Sequence, residues 1–480
     1  MNMDMNDLSK NLNDGKDMDD LSKNLNDGKN PVRDVSSNSH RLTKELSRGG
    51  QGVVYRTSMP DIVVKVDTTD DENANARYMD LRLLPIPQGL HITLPIMPLE
   101  DEKGYVMRLL DDMESFAQAF SKRSEDEIEG YRTDWLDEIM KAGGSNAVLF
   151  SSLVINGGLR RIFRAYMQAA IILAELHSAG LVYCDFSVNN VFVSSDRDFC
   201  NVWLIDADNV CFSEQAAALH WHTPMVAAPE VCSMQRGDSF ASDVFAFASS
   251  LFQQLLRIHP FEGAAYEEAL DDDVDLEEVE NRRNIGKFAY ILDEDDESNF
   301  VDFEGLDEML IPPSLSDLFL QTFGVGHLAP GKRPLMSEWA MGLAVSLDRI
   351  VHCPTCGMDF NYESDNMCPW CDAKHPLLIV KSNYSRELWT FAHEINPLSA
   401  VDVPLRIIHG ALSDEALDNL FRVSWDGKRL AVTLIRSDIE CYTEDEKKIS
   451  KYETNECECK LICRSPKIGI KCTIVFEVMA

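Results

Sequence analysis

Short β-branched runs begin at about Arg41. Gly52 to Tyr55 and Ile62 to Val66 are separated by turn residues, and together they predict a small sheet. Beyond about Ile155 the apolar period lengthens. Ile162, Tyr166, Ala169, Ala170, Ile172, Leu173 and Leu176 fall on one face of a helix. Further helices are predicted over Ser242 to Leu256 and over the Leu- and Trp-containing stretch before Val351, so a mainly helical lobe follows the sheet. From about Pro376 to Ala480 strand-like alternation returns, over Leu377 to Val380, Leu420 to Val423, Leu430 to Ile435 and Ile468 to Phe476. This predicts a small β-rich domain.

Two segments fit neither pattern. In residues 1–36 the ten residues from Asp7 to Lys16, DLSKNLNDGK, recur unchanged from Asp20 to Lys29. Their few leucines cannot offset the entropy of ordering, and a mobile tail is expected. Residues 263–304 carry an acidic block, Asp271 to Glu280 and Asp293 to Glu297, expected to be a solvated loop. The resulting boundaries are a tail at 1–36, a catalytic-type domain at 37–350, a cysteine-rich ribbon at 351–375 and the β-rich domain at 376–480.

Bulk properties narrow the class. A chain of 480 residues with 45% hydrophobic and 26% charged residues suits a multidomain globular protein. No apolar run approaches the ~18 residues of a membrane span, and the N-terminus is acidic and Asn-rich, so neither insertion nor export is expected. The net charge of -35 opposes binding to nucleic acid or to acidic lipid. The odd total of 13 cysteines in a long chain favours reduced thiols in a cytoplasm over a disulfide scaffold.

Candidate chemistry appears in order along the chain. Leu46 to Tyr55 reads LSRGGQGVVY, a glycine-rich turn between two predicted strands, where backbone amides can approach phosphate without an intervening Cβ. The same turn is also common as plain punctuation. The next strand carries one charged side chain, Lys65, which needs an anionic partner. Leu181 to Val193 reads LVYCDFSVNNVFV, with Asp185 and Asn190 on a loop between a helix and a strand. A carboxylate to accept a hydroxyl proton and an amide oxygen to hold a metal are what in-line phosphoryl transfer requires. Asp206 closes the strand Val202 to Ile205 and offers a second carboxylate to Mg²⁺.

This ordered set, over about residues 41–350, resembles the eukaryotic-like (Hanks-type) Ser/Thr protein kinases, in a bacterial layout. The resemblance implies an α+β, bilobal kinase fold with a small β-rich N-lobe and a larger helical C-lobe. It implies ATP held by Ser47, Gly49, Gly50, Gly52 and Val54, with Lys65 on its α/β-phosphates. Asp185 would be the base, and Asn190 and Asp206 would hold Mg²⁺. Ala228-Pro229-Glu230 stands where the family has A-P-E, with Thr223-Pro224 before it. Asp243 matches the helix-F aspartate, and Arg333 the arginine that pairs with the A-P-E glutamate.

The chain departs from the family at several positions. Ser47 replaces the first glycine of the loop. Tyr183-Cys184-Asp185 replaces H-R-D, so no arginine awaits a phosphorylated activation segment, and activity without that phosphorylation is expected. Ser187 stands where a lysine usually neutralises the γ-phosphate; small-molecule kinases of related fold also lack that lysine. Asp206-Ala207-Asp208 replaces D-F-G, which makes an in/out flip doubtful. The acid expected to pair with Lys65 is Glu72, with Asp80 better spaced but shorter; both also read as ordinary surface acids.

Cys353-Pro-Thr-Cys356 and Cys368-Pro-Trp-Cys371 are two C-x-x-C knuckles separated by 11 residues. Four converging thiolates predict structural Zn²⁺ in a unit resembling a zinc ribbon, which the metal would help fold. His352 and His375 are then redundant. Cys457, Cys459, Cys463 and Cys472 are expected to be buried or edge thiols, without metal.

The leading expectation is an ATP- and Mg²⁺-dependent Ser/Thr protein kinase whose ribbon and C-terminal domain recruit substrate. A basic protein substrate would suit the acidic block. The layout resembles kinases that work beside a PP2C-type phosphatase and a von Willebrand A-type protein. A nucleotide-binding pseudokinase scaffold and a small-molecule kinase are the alternatives.

Overall fold

The computed structural model of the chain describes residues 31–49, 52–68, 73–129, 145–197, 200–219, 223, 225–271, 275–303, 305–383, 389–409, 418–466 and 469–480. The duplicated segment therefore lies outside the described residues, as do Gly50, Glu72 and Pro224. The protein is mixed α+β, with several separate sheets, and it divides into two compact units.

The first unit contains the described residues up to Pro85, with Ile92–Asp112 and Ile205–Val210. Its antiparallel sheet comprises β1 (Leu42–Arg48), β2 (Gly52–Thr57), β3 (Ile62–Asp67), β4 (Met97–Pro98) and β5 (Gly104–Arg108), in the order β1-β2-β3-β5-β4. Helix α1 (Ala74–Leu81) follows β3. Alternation sends Val53, Tyr55, Val64 and Val106 into one core, where Leu42, Leu99 and Val32 join them. Because register pairs Val54 with Lys65 and Lys65 with Tyr105, those three side chains share the opposite face. Val32–Arg33, within the segment expected as tail, pairs with Ser39–His40.

The second unit contains Ile86–His91, Met113–Leu204 and the described residues from Cys211 onward. Here β6 (Met113–Ser115) edges a three-stranded sheet and α2 (Ser145–Ile155) leads into α3 (Gly158–Ser178). All seven apolar positions read as one helical face, Ile162 to Leu176, are buried on α3. After it come β7 (Leu181–Val182), β8 (Val191–Ser194), β9 (Val202–Leu204) and β10 (Cys211–Phe212). Strands β8 and β9 pair with each other and β10 pairs with β7. Helix α4 (Pro229–Cys232) has proline at its first position, and α5 (Phe240–Leu256) is opened by a capping box from Ser239 and Ser242.

Where it is described, the first part of the acidic block is helical and not the loop expected from its charge. Ala264–Asp271 and Leu276–Asn284 are helices, α6 and α7, because Tyr266, Ala269, Val279 and Arg283 recur on buried faces. Asp275 caps α7 by accepting the Glu277 amide. Glu277 and Glu278 in its first turn and Arg282 and Arg283 in its last complement the helix dipole. Asp293 to Glu297 does form turns and a short 3-10 segment.

Helix α8 (Met336–Asp348) packs along α3 and runs into a hairpin of β11 (Ile350–His352) and β12 (Asp359–Asn361). Two sheets follow. A six-stranded one has the order β14-β13-β20-β19-β17-β18: β13 (Leu377–Ser382), β14 (Trp389–Glu394), β17 (Glu440–Tyr442), β18 (Lys448–Ile449), β19 (Glu458–Ser465) and β20 (Ile470–Met479). A four-stranded one consists of Ala400–Pro404, β15 (Asn419–Trp425), β16 (Leu430–Leu434) and Lys451–Thr454. Phe421 of β15 meets Phe476 of β20 edge to face, joining the two sheets. Cys459, Cys463 and Cys472 are buried in the larger sheet and Cys457 is exposed.

Candidate functional site

In the first unit, the chain at the start of β2 approaches Lys65 closely. A Cβ on Gly52 would stand 2.8 Å from the Val66 carbonyl and 3.3 Å from Lys65 Cε, so glycine is required by packing as well as by any ligand. The Gly49 amide donates to the Gly52 carbonyl (2.9 Å), closing the turn. Ser47 is exposed and Val54 half-buried.

Lys65 is 3% exposed. Its Nζ donates to Asp206 Oδ1 (2.5 Å) and Asp208 Oδ2 (2.7 Å). Burial alone disfavours the ammonium, but the Asp206 and Asp208 carboxylates outweigh it and hold the amine well above its usual value. Burial, with the charge on Asp206, pushes the Asp208 carboxyl up to about 6 against the opposing pull of Lys65. Tyr105 OH also donates to Asp206 Oδ1 (3.3 Å). Asp206 has a left-handed backbone (φ 54°), one of the few such non-glycine positions, and its side chain is 31% exposed. Of the acids expected to pair with Lys65, Asp80 on α1 is exposed and Glu72 lies outside the described residues; among the described residues the ion pairs of Lys65 come from Asp206 and Asp208.

In the second unit, the loop after β7 is fixed from below by α5. Asp243, 2% exposed, accepts the amides of Tyr183 (Oδ2, 2.8 Å) and Cys184 (Oδ1, 2.9 Å), and His177 Nε2 lies 2.9 Å from its Oδ2. These bonds hold Cys184 at φ 71° and set the direction of the next side chain, Asp185. Thr223 Oγ1 donates to Asp185 Oδ1 (3.0 Å), and Asn190 Nδ2 donates to Asp185 Oδ2 and to its carbonyl (both 3.0 Å). With its nitrogen committed to Asp185, what Asn190 offers elsewhere is its amide oxygen. Ser187 is buried, its carbonyl accepting the Asn190 amide (3.0 Å). Cys184 Sγ lies 4.0 Å from Cys211 Sγ, so two thiols meet beside the Asp185 loop.

Seven residues beyond Thr223, Glu230 is locked to Arg333 by two parallel bonds, Nη1 to Oε1 (2.7 Å) and Nη2 to Oε2 (2.8 Å). The pairing expected between these two positions is present.

The four ribbon cysteines also converge. Cys353 and Cys371 sulfurs are 3.7 Å apart, as are those of Cys356 and Cys368, and all four lie within 4.8 Å of one another. A tetrahedron with Zn–S bonds of about 2.3 Å has edges of about 3.8 Å. The two knuckles repeat one geometry. Cys353 N donates to Met358 O and its carbonyl accepts Gly357 N; Cys368 N donates to Ala373 O and its carbonyl accepts Asp372 N. Gly357 (φ 73°) and Asp372 (φ 57°) occupy the same left-handed position. The Cys356–Cys368 hydrogen bond pushes the Cys356 thiol up, and the same bond pulls Cys368 down to about 5, as in a pair sharing one proton. A metal such as zinc fits this group. His375 bonds Thr355 and His352 bonds Asp359, so both stand beside the cluster, outside the set of four sulfurs.

Sequence reasoning missed Tyr105, Tyr78 and Asp208. The last carries a signal in the sequence, since the third position of the D-A-D triplet adds an acid two residues from Asp206. Among the described residues no helix is long and apolar enough to cross a membrane. No protein-family model matches the chain, and no curated protein is significantly similar to it.

Proposed function

We propose that the chain is a Ser/Thr protein kinase with a bilobal kinase fold, transferring the γ-phosphoryl of ATP to a protein hydroxyl. The observation that carries this reading is the bonding of Asp185. Both carboxylate oxygens accept hydrogen bonds, from Thr223 and Asn190, while Asp243 fixes the two preceding amides. A carboxylate aimed by that many independent contacts is pre-set for one task, and proton acceptance from an acceptor hydroxyl fits it. Lys65 is assigned to the nucleotide phosphates.

Asp206 and Asn190 are the residues that would hold Mg²⁺. Lys65 and Tyr105 both use Oδ1 of Asp206, which leaves Oδ2 in the first unit to a hard cation; in the second unit Asn190 bonds Asp185 through its nitrogen, which leaves its amide oxygen. The ion would supply charge neutralisation at the phosphates. The cysteine cluster is assigned to structural zinc, since four thiolates leave no open coordination position.

The buried Ser187, in place of a cationic side chain, favours the second reading, a nucleotide-binding pseudokinase. Phosphorylation assayed with labelled ATP separates the two. Asp185→Asn should lower the rate by about 10²–10⁴ while nucleotide binding persists. A wild-type protein that binds Mg-ATP and transfers nothing refutes the kinase and leaves the scaffold.

A further inference from the structure

A lysine that binds phosphates needs an acid to hold it, and in this chain the helix after the lysine strand does not supply one among its described residues. The inward face of α1 is Ala74, Tyr78 and Leu81. Tyr78 donates its hydroxyl to Asp67 Oδ2 (2.6 Å) and sets its ring edge-on to Tyr105 at 4.7 Å. Asp80 points to solvent. The acids that reach Lys65 come from the chain after β9, where Asp206 and Asp208 stand two residues apart around a 3-10 turn.

The two carboxylates are not equivalent. Asp206 Oδ1 is shared by Lys65 and Tyr105, and its side chain is partly exposed. Asp208 is 3% exposed, and its Oδ1 has no hydrogen-bond partner among the described residues. A buried carboxylate oxygen left unmatched costs about 1–3 kcal/mol, so the fold keeps this acid at a loss that its bond to Lys65 must offset. If Asp206 turns its charge to a cation, its hold on Lys65 weakens. The buried ammonium then needs another counter-charge.

Resting on the kinase reading above, we propose that Asp208 is the positioning residue for Lys65, taking the part of the helix-borne acid and freeing Asp206 for the metal. The lysine anchor and the metal ligand then belong to one short turn. Holding Lys65 in place does not depend on where α1 lies.

The full-length protein tests this by calorimetry with Mg-ATP and with adenosine. Asp208→Asn keeps the side-chain volume and removes the charge. It should weaken Mg-ATP by on the order of tenfold and leave adenosine unchanged, because only the phosphates meet Lys65. Adding Lys65→Met to that variant should cost less than Lys65→Met costs the wild type. Wild-type affinity for Mg-ATP in Asp208→Asn overturns the proposal, as does an equal loss for ATP and adenosine, which marks a merely structural role. So does a loss confined to Glu72→Gln or Asp80→Asn.

Failure of the wild type to bind Mg-ATP removes the kinase reading and this inference with it, whereas the other adverse outcomes remove this inference alone.

Discussion

Arg333 offers the sharpest test of how the second unit is held. Its side chain is fully buried, and every donor nitrogen is used. Besides the paired bonds to Glu230, Nε donates to the Gly326 carbonyl (2.9 Å), Nη1 to Ala241 (2.9 Å) and Nη2 to His327 (3.2 Å), and the guanidinium lies 4.7 Å from the Phe245 ring centroid. Arg333→Met fills most of the volume. It leaves Glu230, 8% exposed, as an uncompensated buried charge and strips three carbonyls of their donor. Breaking one side of such a pair costs about 3–5 kcal/mol, and the lost carbonyl bonds place this case toward the upper end. Adding Glu230→Gln removes the stranded charge and should return on the order of 2 kcal/mol. Urea unfolding at neutral pH, followed by tryptophan fluorescence, reads both values; Trp339 packs on Phe247 and Phe319 in the same unit. A loss under about 1 kcal/mol, or a double variant no more stable than Arg333→Met, refutes the reasoning. On the proposed kinase reading, phosphorylation should fall in parallel, since Thr223 bonds Asp185 seven residues before Glu230.

Purified chain should contain one zinc per molecule, released by a thiol-modifying reagent. Cys368→Ser should lower the thermal midpoint and shift the emission of Trp370, whose Nε1 donates to the Asp359 carbonyl (3.0 Å); full zinc content in that variant would refute the site. His327 is buried, and loss of hydration pulls its imidazole down to about 4, so it is neutral when folded and protonates more readily when unfolded. Its contribution is therefore complete above pH ~6.5 and is lost as pH falls toward 4. His327→Gln should flatten the fall in stability across that window, and an unchanged slope refutes it.

The parts of the site legible from spacing were those set by local motifs, Asp185 with Asn190 and the two C-x-x-C turns; Asp243 at the head of its helix and the Glu230–Arg333 pair came from the resemblance to protein kinases. The structure brings each set together. Lys65 was legible as a lysine needing an anion. Its partners were not, because the contacts to Asp206 and Asp208 span 141 and 143 residues and no period marks them. Charge misled at 271–280. Acid-rich composition suggested loop, while the sparse buried face of Tyr266, Ala269, Val279 and Arg283, with Asp275 as cap, was sufficient for two helices. The strands after Pro376 were visible as alternation, but their sorting into two sheets depends on pairings such as β13 with β20 that only the folded chain reveals.

Asp359 belongs to the ribbon hairpin, yet its carboxylate accepts the Arg160 amide (2.9 Å) at the start of α3, against Gly158, where a Cβ would stand 2.1 Å from Oδ2. Asp348, wholly buried at the end of α8, is gripped by Arg406 and by Trp389 Nε1 (2.7 Å) from the sheets beyond. A truncation after Arg349 would therefore take from Asp348 its Arg406 and Trp389 partners and from the Arg160 amide, in the first turn of α3, its acceptor. What looks in the linear order like a detachable appendage is a buttress for α3 and α8.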